Sequence, residues 1–135
     1  MKCLAVIDTN VLVSALLSKN DDAATVQVIH KMFLSEFIPL FSEEILSEYH
    51  EVLKRKKFGF SETTVNQLIS SIEKMGEKVA PSNTGEILPD MKDLPFYEVV
   101  VEKQEDGAFL VTGNMKHFPT KPFIVTPRDF LDVLQ

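Results

Sequence analysis

Short, fully apolar runs alternate along this chain with longer stretches in which apolar residues recur every three or four positions. The first run, Cys3 to Ile7 (CLAVI), stops abruptly at Asp8, as a strand buried on both faces would. Phe37 to Phe41 (FIPLF), Ala108 to Thr112 (AFLVT) and Phe123 to Val125 have the same character, and Lys78 to Ala80 is a shorter candidate. The intervening spacing predicts helices over Asn10 to Ser18, about Asp22 to Ser35, from Glu43 onward, Ser61 to Met75, and Leu94 to Val101. A last helix opens at Pro127, with Phe130, Leu131 and Leu134 inward. Asp8 or Thr9, Asp22, Ser42 and Ser61 are suitable N-caps, and Pro95 lies in a first turn, where its missing N–H does no harm. Val26, Ile29, Met32 and Phe33 form the expected core face of the second helix, and Gly76 should close the fourth as a C′ residue. Pro81 to Pro89 reads as a polar connection. Strand and helix in alternation imply a parallel sheet with helices on both faces. Ligands then bind beyond the carboxyl ends of the strands, which points to Asp8 and Asn114.

The 135 residues are 44% hydrophobic and 25% charged, so one domain over residues 1–135 with a substantial core is expected. No apolar run approaches the roughly 18 residues of a membrane span, because Asp8, Asn10 and Ser14 interrupt Leu4 to Leu17. Nothing resembles a secretory signal, and a lone cysteine, Cys3, suits a reducing cytoplasm. The net charge of −6 argues against gripping nucleic acid by bulk charge. It leaves room for an acidic site whose charge a bound metal reverses.

Two apolar strands run straight into metal-competent side chains, Ile7 into Asp8 and Val111-Thr112-Gly113 into Asn114. Glu48 lies beside the apolar stripe of Ile45, Tyr49 and Val52, whereas Glu44 and Glu51 lie further round toward solvent. Asp90 and Asp93 precede the apolar helix at Leu94, and either could cap it or aim inward. Carboxylates from separate segments that converge on one crevice raise one another's pKa, and a hard ion such as Mg²⁺ or Mn²⁺ relieves that conflict. Such an ion polarises a phosphoryl oxygen and acidifies water, the chemistry of phosphodiester hydrolysis.

Together MKCLAVIDTNVLVSALLS, SEEILSEYHEVLKRKKF, DMKDLPFYEVV, FLVTGNMKHFP and IVTPRDFL resemble the PIN (PilT N-terminal) nuclease domain, in order and over nearly the whole chain. The likeness extends to the branch described as toxins of toxin-antitoxin systems. It implies a Rossmann-like three-layer α/β/α sandwich, metal-dependent cleavage of single-stranded RNA, an antitoxin partner and a homodimer. Carried over residue by residue, Asp8 in IDTN matches the first acid, Glu48 the helical acid in preference to Glu44, and Asp93 the third, with Asp90 as an accessory or as the third acid in its place. Asn114 stands where many members carry a fourth Asp, which should weaken metal affinity and puts a second ion in doubt. Thr112 and Asn10 could orient ligands from nearby.

Lys54, Arg55 and Lys57 belong to the one basic run and, beside Phe58 and Phe60, could track an RNA backbone. They could equally complement a helix dipole. His30, His50 and His117 lack the spacing of a metal pair or triad and receive no role. A phosphatase with Asp8 as nucleophile would need a second Asp where Asn10 stands. A non-catalytic module that binds RNA or protein remains the alternative, because of Asn114.

Overall fold

The computed structural model describes residues 2–135. Among them five strands form one sheet: β1 (Cys3–Ile7), β2 (Phe37–Phe41), β3 (Glu77–Lys78), β4 (Phe109–Val111) and β5 (Ile124–Val125). Their order is β3-β2-β1-β4-β5, and every neighbouring pair is parallel. Six α-helices connect and cover them: α1 (Thr9–Leu17), α2 (Ala24–Phe33), α3 (Glu43–Leu53), α4 (Glu62–Met75), α5 (Leu94–Glu102) and α6 (Pro127–Leu134). This is the three-layer α/β/α fold that the alternation implied. None of the described helices is long and apolar enough to cross a membrane.

The strands β1 and β2 coincide with their predicted runs, since a strand covered on both faces has no polar position to blur its ends. Leu4 to Ile7 are buried in the centre of the sheet. Phe37 on β2 meets Phe130 of α6 edge to face, with ring centroids 5.0 Å apart, and Phe109 of β4 approaches the same ring at 6.0 Å. The Ser42 hydroxyl accepts from the Ile45 N–H at 3.2 Å, and that of Ser61 accepts from the Thr64 N–H at 3.1 Å, so both proposed caps form. The connection from Pro81 to Pro89 has no regular structure, but the Glu102 and Glu98 carboxylates accept from the Ser82 and Thr84 N–H groups.

Three local expectations are corrected. Asp22 does not cap α2; Asn20 takes the Asp22 N–H into a side-chain turn at 2.9 Å, and the helix begins at Ala24. In α2 the buried residues are Val28 and Met32, while Phe33 is 48% exposed. With Val26 and Ile29 it lines an open groove against Leu12 and Leu68 of α1 and α4. Gly76 ends α4 in extended rather than left-handed backbone, at φ −101° and ψ −177°. Its missing side chain serves proximity: a Cβ there would lie 2.3 Å from the Pro39 carbonyl oxygen and 2.6 Å from that of Ile72.

Candidate functional site

The strand order reverses between β1 and β4, so their carboxyl ends open a crevice at the switch point of the sheet. Asp8 lies there, only 4% exposed, and its N–H continues the ladder to the Val111 carbonyl at 2.9 Å. It occupies the N-cap position of α1 but its side chain caps nothing. The carboxylate Oδ2 instead accepts from Thr112 Oγ1 at 2.8 Å and from Asn10 Nδ2 at 3.3 Å. Thr112 Oγ1 itself accepts the Asn114 N–H at 2.9 Å, and Asn10 Oδ1 accepts the Gly113 N–H at 3.1 Å. The polar ends of β1 and β4 are thereby tied together around one carboxylate.

The second acid arrives on α3. Tyr49 is buried, its ring rests 6.1 Å from that of Phe96, and its hydroxyl donates to the Ile7 carbonyl. That bond anchors α3 to the end of β1 and sets the preceding residue, Glu48, at the crevice, where Glu48 Oε2 accepts from Thr9 Oγ1 at 2.6 Å. Glu44, one turn earlier, is exposed.

Asp93 supplies the third. Like Asp8 it stands at a helix N-cap, that of α5, without making a capping bond. Its Oδ2 pairs with His117 Nδ1 at 2.9 Å. Asp90 does cap, accepting the Lys92 N–H at 3.0 Å at the start of a 3₁₀ turn, and so takes the local structural role that spacing left open.

His117, to which spacing assigned no role, lies within the cluster. Asn114 and His117 are the ends of one 3₁₀ turn, which turns both side chains inward, and Asn114 Nδ2 reaches His117 Nε2 at 3.0 Å. A ring protonated at Nδ1 satisfies both contacts, donating to Asp93 and accepting from Asn114. The signal was a His three residues after the Asn in GNMKHF, a separation that closes one such turn.

Burial pushes the Asp8 carboxyl up to about 6, against the pull of the Thr112 bond and with the charges of Asp93 and Glu48 adding to the rise. Burial likewise raises Glu48 and Asp93; the Thr9 bond opposes the first, whose rise Asp93 adds to, and His117 opposes the second. Three carboxylates that resist simultaneous ionisation form a donor set suited by charge and hardness to a divalent cation. Among the described residues no three His, Cys, Asp or Glu side chains are already gathered as a ligand shell. Each acid is held by a hydroxyl or imidazole partner instead.

The surrounding cleft, about 640 Å³, is lined by Asp8, Glu48, Asp90, Asp93, Asn114 and His117 and by apolar residues including Phe58. The basic run sits at its margin. Arg55 forms an ion pair with Glu51 at 3.0 Å, Lys54 approaches Glu62 at 4.0 Å, and the Lys57 ammonium lies 5.1 Å from the centre of the Phe58 ring. These exposed partners hold the cations weakly. If these cations meet phosphate, replacing Lys54, Arg55 and Lys57 together by Ala weakens nucleic-acid binding at low salt and reduces its log–log salt slope by about 2–3. A salt titration of binding by fluorescence anisotropy checks this, and an unchanged slope would return the run to a solvated helix end.

The family model described as PIN domain matches residues 4–116, which run from within β1 into the turn after β4 and contain every acid of the cleft. The chain belongs to the PIN domain family. PIN domains are generally nucleases that act on nucleic acids and typically depend on divalent metal. No curated protein matches the chain. In this PIN domain His117 falls just beyond the matched residues yet touches both Asp93 and Asn114.

Proposed function

We propose that this PIN domain is an endoribonuclease that hydrolyses phosphodiester bonds of single-stranded RNA with Mg²⁺ or Mn²⁺. The observation that carries the reading is the convergence of Asp8, Glu48 and Asp93 on one cleft at the sheet's switch point. Asp8, Glu48 and Asp93 would hold the cation, with Asn114 as an uncharged fourth donor. When bound, it supplies Lewis-acid polarisation of the phosphoryl group and an acidified water. Thr112 and Asn10 fix the Asp8 carboxylate, and the Thr9 hydroxyl fixes Glu48 through Oε2. Glu48, held through Oε2, would take the proton of an attacking water, a task to which its raised affinity for protons suits it. The His117 ring restrains Asp93.

The sequence likeness extends the proposal to a toxin of a toxin-antitoxin pair, acting in the cytoplasm and taking an antitoxin protein and a second copy of the chain as partners. A gene for a small DNA-binding protein beside this one would support that role.

Millimolar Mn²⁺ is expected to raise the melting temperature by several degrees over chelator, because the folded carboxylates bind the ion and the unfolded chain does so poorly. It is also expected to switch on cleavage of a labelled single-stranded RNA. Superimposed melts together with absent cleavage would sink the proposal. The attachment of the Asn114 amide to His117 favours a second reading, a PIN-like module that retains RNA without cutting it. Intact RNA bound with equal affinity in Mn²⁺ and in chelator would be its signature.

A further inference from the structure

Part of the cleft wall takes no part in metal chemistry: Val13 and Leu17 of α1, Val52 of α3, and Phe58. Leu17 is 52% exposed and Phe58 is half-buried, so this wall offers apolar surface to solvent inside a site otherwise lined by carboxylates and amides. Exposed apolar surface continuous with a polar reaction site is the usual form of a pocket that orients an amphipathic ligand.

Phe58 is positioned with some care. It ends the 3₁₀ turn Lys56–Phe58, and Gly59 follows in left-handed backbone at φ +69°, a conformation that L side chains disfavour. That reversal brings Phe60 back against Phe58, with ring planes 12° apart and centroids at 5.5 Å. The pair is a preformed, nearly parallel aromatic stack at the border of the cleft. The Lys57 ammonium beside the Phe58 ring is an exposed cation–π contact, worth about 0.5–1 kcal/mol and easily surrendered to a phosphate.

We infer that Phe58, with Val13, Leu17 and Val52, forms a subsite for one nucleobase of the RNA next to the bond that is cut, while Lys57 moves to the adjoining phosphate. The inference rests on the ribonuclease reading of the acidic wall and adds how that substrate is seated. A flat base presents an apolar face to Phe58 whatever its sequence, and its ribose-phosphate remains on the polar side of the cleft. Stacking of this kind holds single strands with little sequence preference. Phe58 is thus a positioning residue for substrate.

The test is the affinity of a short, mixed-sequence, fluorescein-labelled single-stranded RNA, measured by anisotropy in chelator so that nothing is cut. Phe58→Ala is expected to weaken binding about 5- to 100-fold, the range for loss of one base–aromatic stack, with an unchanged salt slope. Phe58→Tyr should restore most of the affinity. An abasic oligomer of the same length should bind wild type and Phe58→Ala alike. If Ala lowers the melting temperature, Phe58→Leu, which keeps apolar bulk but no ring face, carries the test and should still lose affinity. Binding by Phe58→Ala or Phe58→Leu within twofold of wild type, or an equal loss on abasic RNA, overturns the subsite. Should wild type cleave RNA in Mn²⁺ while Phe58 proves indifferent, the subsite falls and the nuclease reading stands. Base-dependent binding without cleavage is the reverse, and no RNA binding at all removes both.

Discussion

Asp8→Asn and Asp93→Asn are each expected to reduce cleavage of single-stranded RNA in Mn²⁺ by about a thousandfold or more, and the double variant should lose little beyond either single one. On the proposed function the acids act as one unit, so removing any of them would remove what the others do. The same Asp8→Asn change should make the protein more stable in chelator. The ordinary Asp8 carboxyl titrates at 3.8, the folded one at about 6. Above pH 6 it is ionised in both states and the folded state bears the full cost of the buried charge. Well below pH 3.8 it is protonated in both and that cost is gone. Wild type therefore gains stability relative to the variant as pH falls from 7 to 4. At pH 7.5 the Asn variant should be about 1–3 kcal/mol more stable, given roughly 1.4 kcal/mol per pKa unit, and at pH 4 most of that gap should have closed. Urea denaturation in chelator at both pH values measures this. A variant destabilised at pH 7.5 would mean that Asp8 is a structural tie between β1 and β4, and undiminished cleavage in the double variant would move the reaction elsewhere.

Gly76→Ala is expected to cost about 2–4 kcal/mol, because the added methyl would meet two backbone oxygens, those of Pro39 and Ile72, neither of which can swing aside as a side chain would. The clash lies where α4 delivers the chain to β3 beside β2, so relief requires the edge of the sheet to shift. Gly107→Ala offers the contrast. Nothing lies within 4 Å of its Cβ position, and the cost there is confined to left-handed backbone strain at φ +73°, about 1 kcal/mol. Melting temperatures of the two variants should differ by several degrees, with Gly76→Ala the lower. Equal melting temperatures would show that the β2–β3 edge is soft enough to absorb a methyl group.

Sequence resolved most where burial is two-sided. CLAVI and FIPLF have no polar positions, so β1 and β2 end where the apolar run ends, and Asp8 is marked by that boundary. Helical acids were less legible. A three- to four-residue period placed Glu48 beside the apolar stripe, but its contact with Thr9 needs the anchoring of Tyr49 to Ile7, forty-two residues away. Asp90 and Asp93 are equivalent cap candidates in sequence, and they part because a 3₁₀ turn precedes α5, so that Asp90 caps while Asp93 faces His117. For His117, the search for metal-like spacing obscured a simpler separation, one short turn from Asn114. In α2, periodicity identified an apolar face without saying what covers it, and Phe33 consequently opens onto a groove rather than the core.

The Thr112 hydroxyl that steadies Asp8 lies 104 residues further along the chain. A polypeptide still emerging from the ribosome holds Asp8 and Glu48 long before β4 exists, and the crevice has no second wall until Val111 pairs with Ile7. His117, the last member to arrive, follows within one turn of Asn114. The acidic centre is thus completed only once β4 has been made, through contacts of high sequence separation. On the proposed function, an unfinished chain that lacks β4 would hold no complete cutting centre.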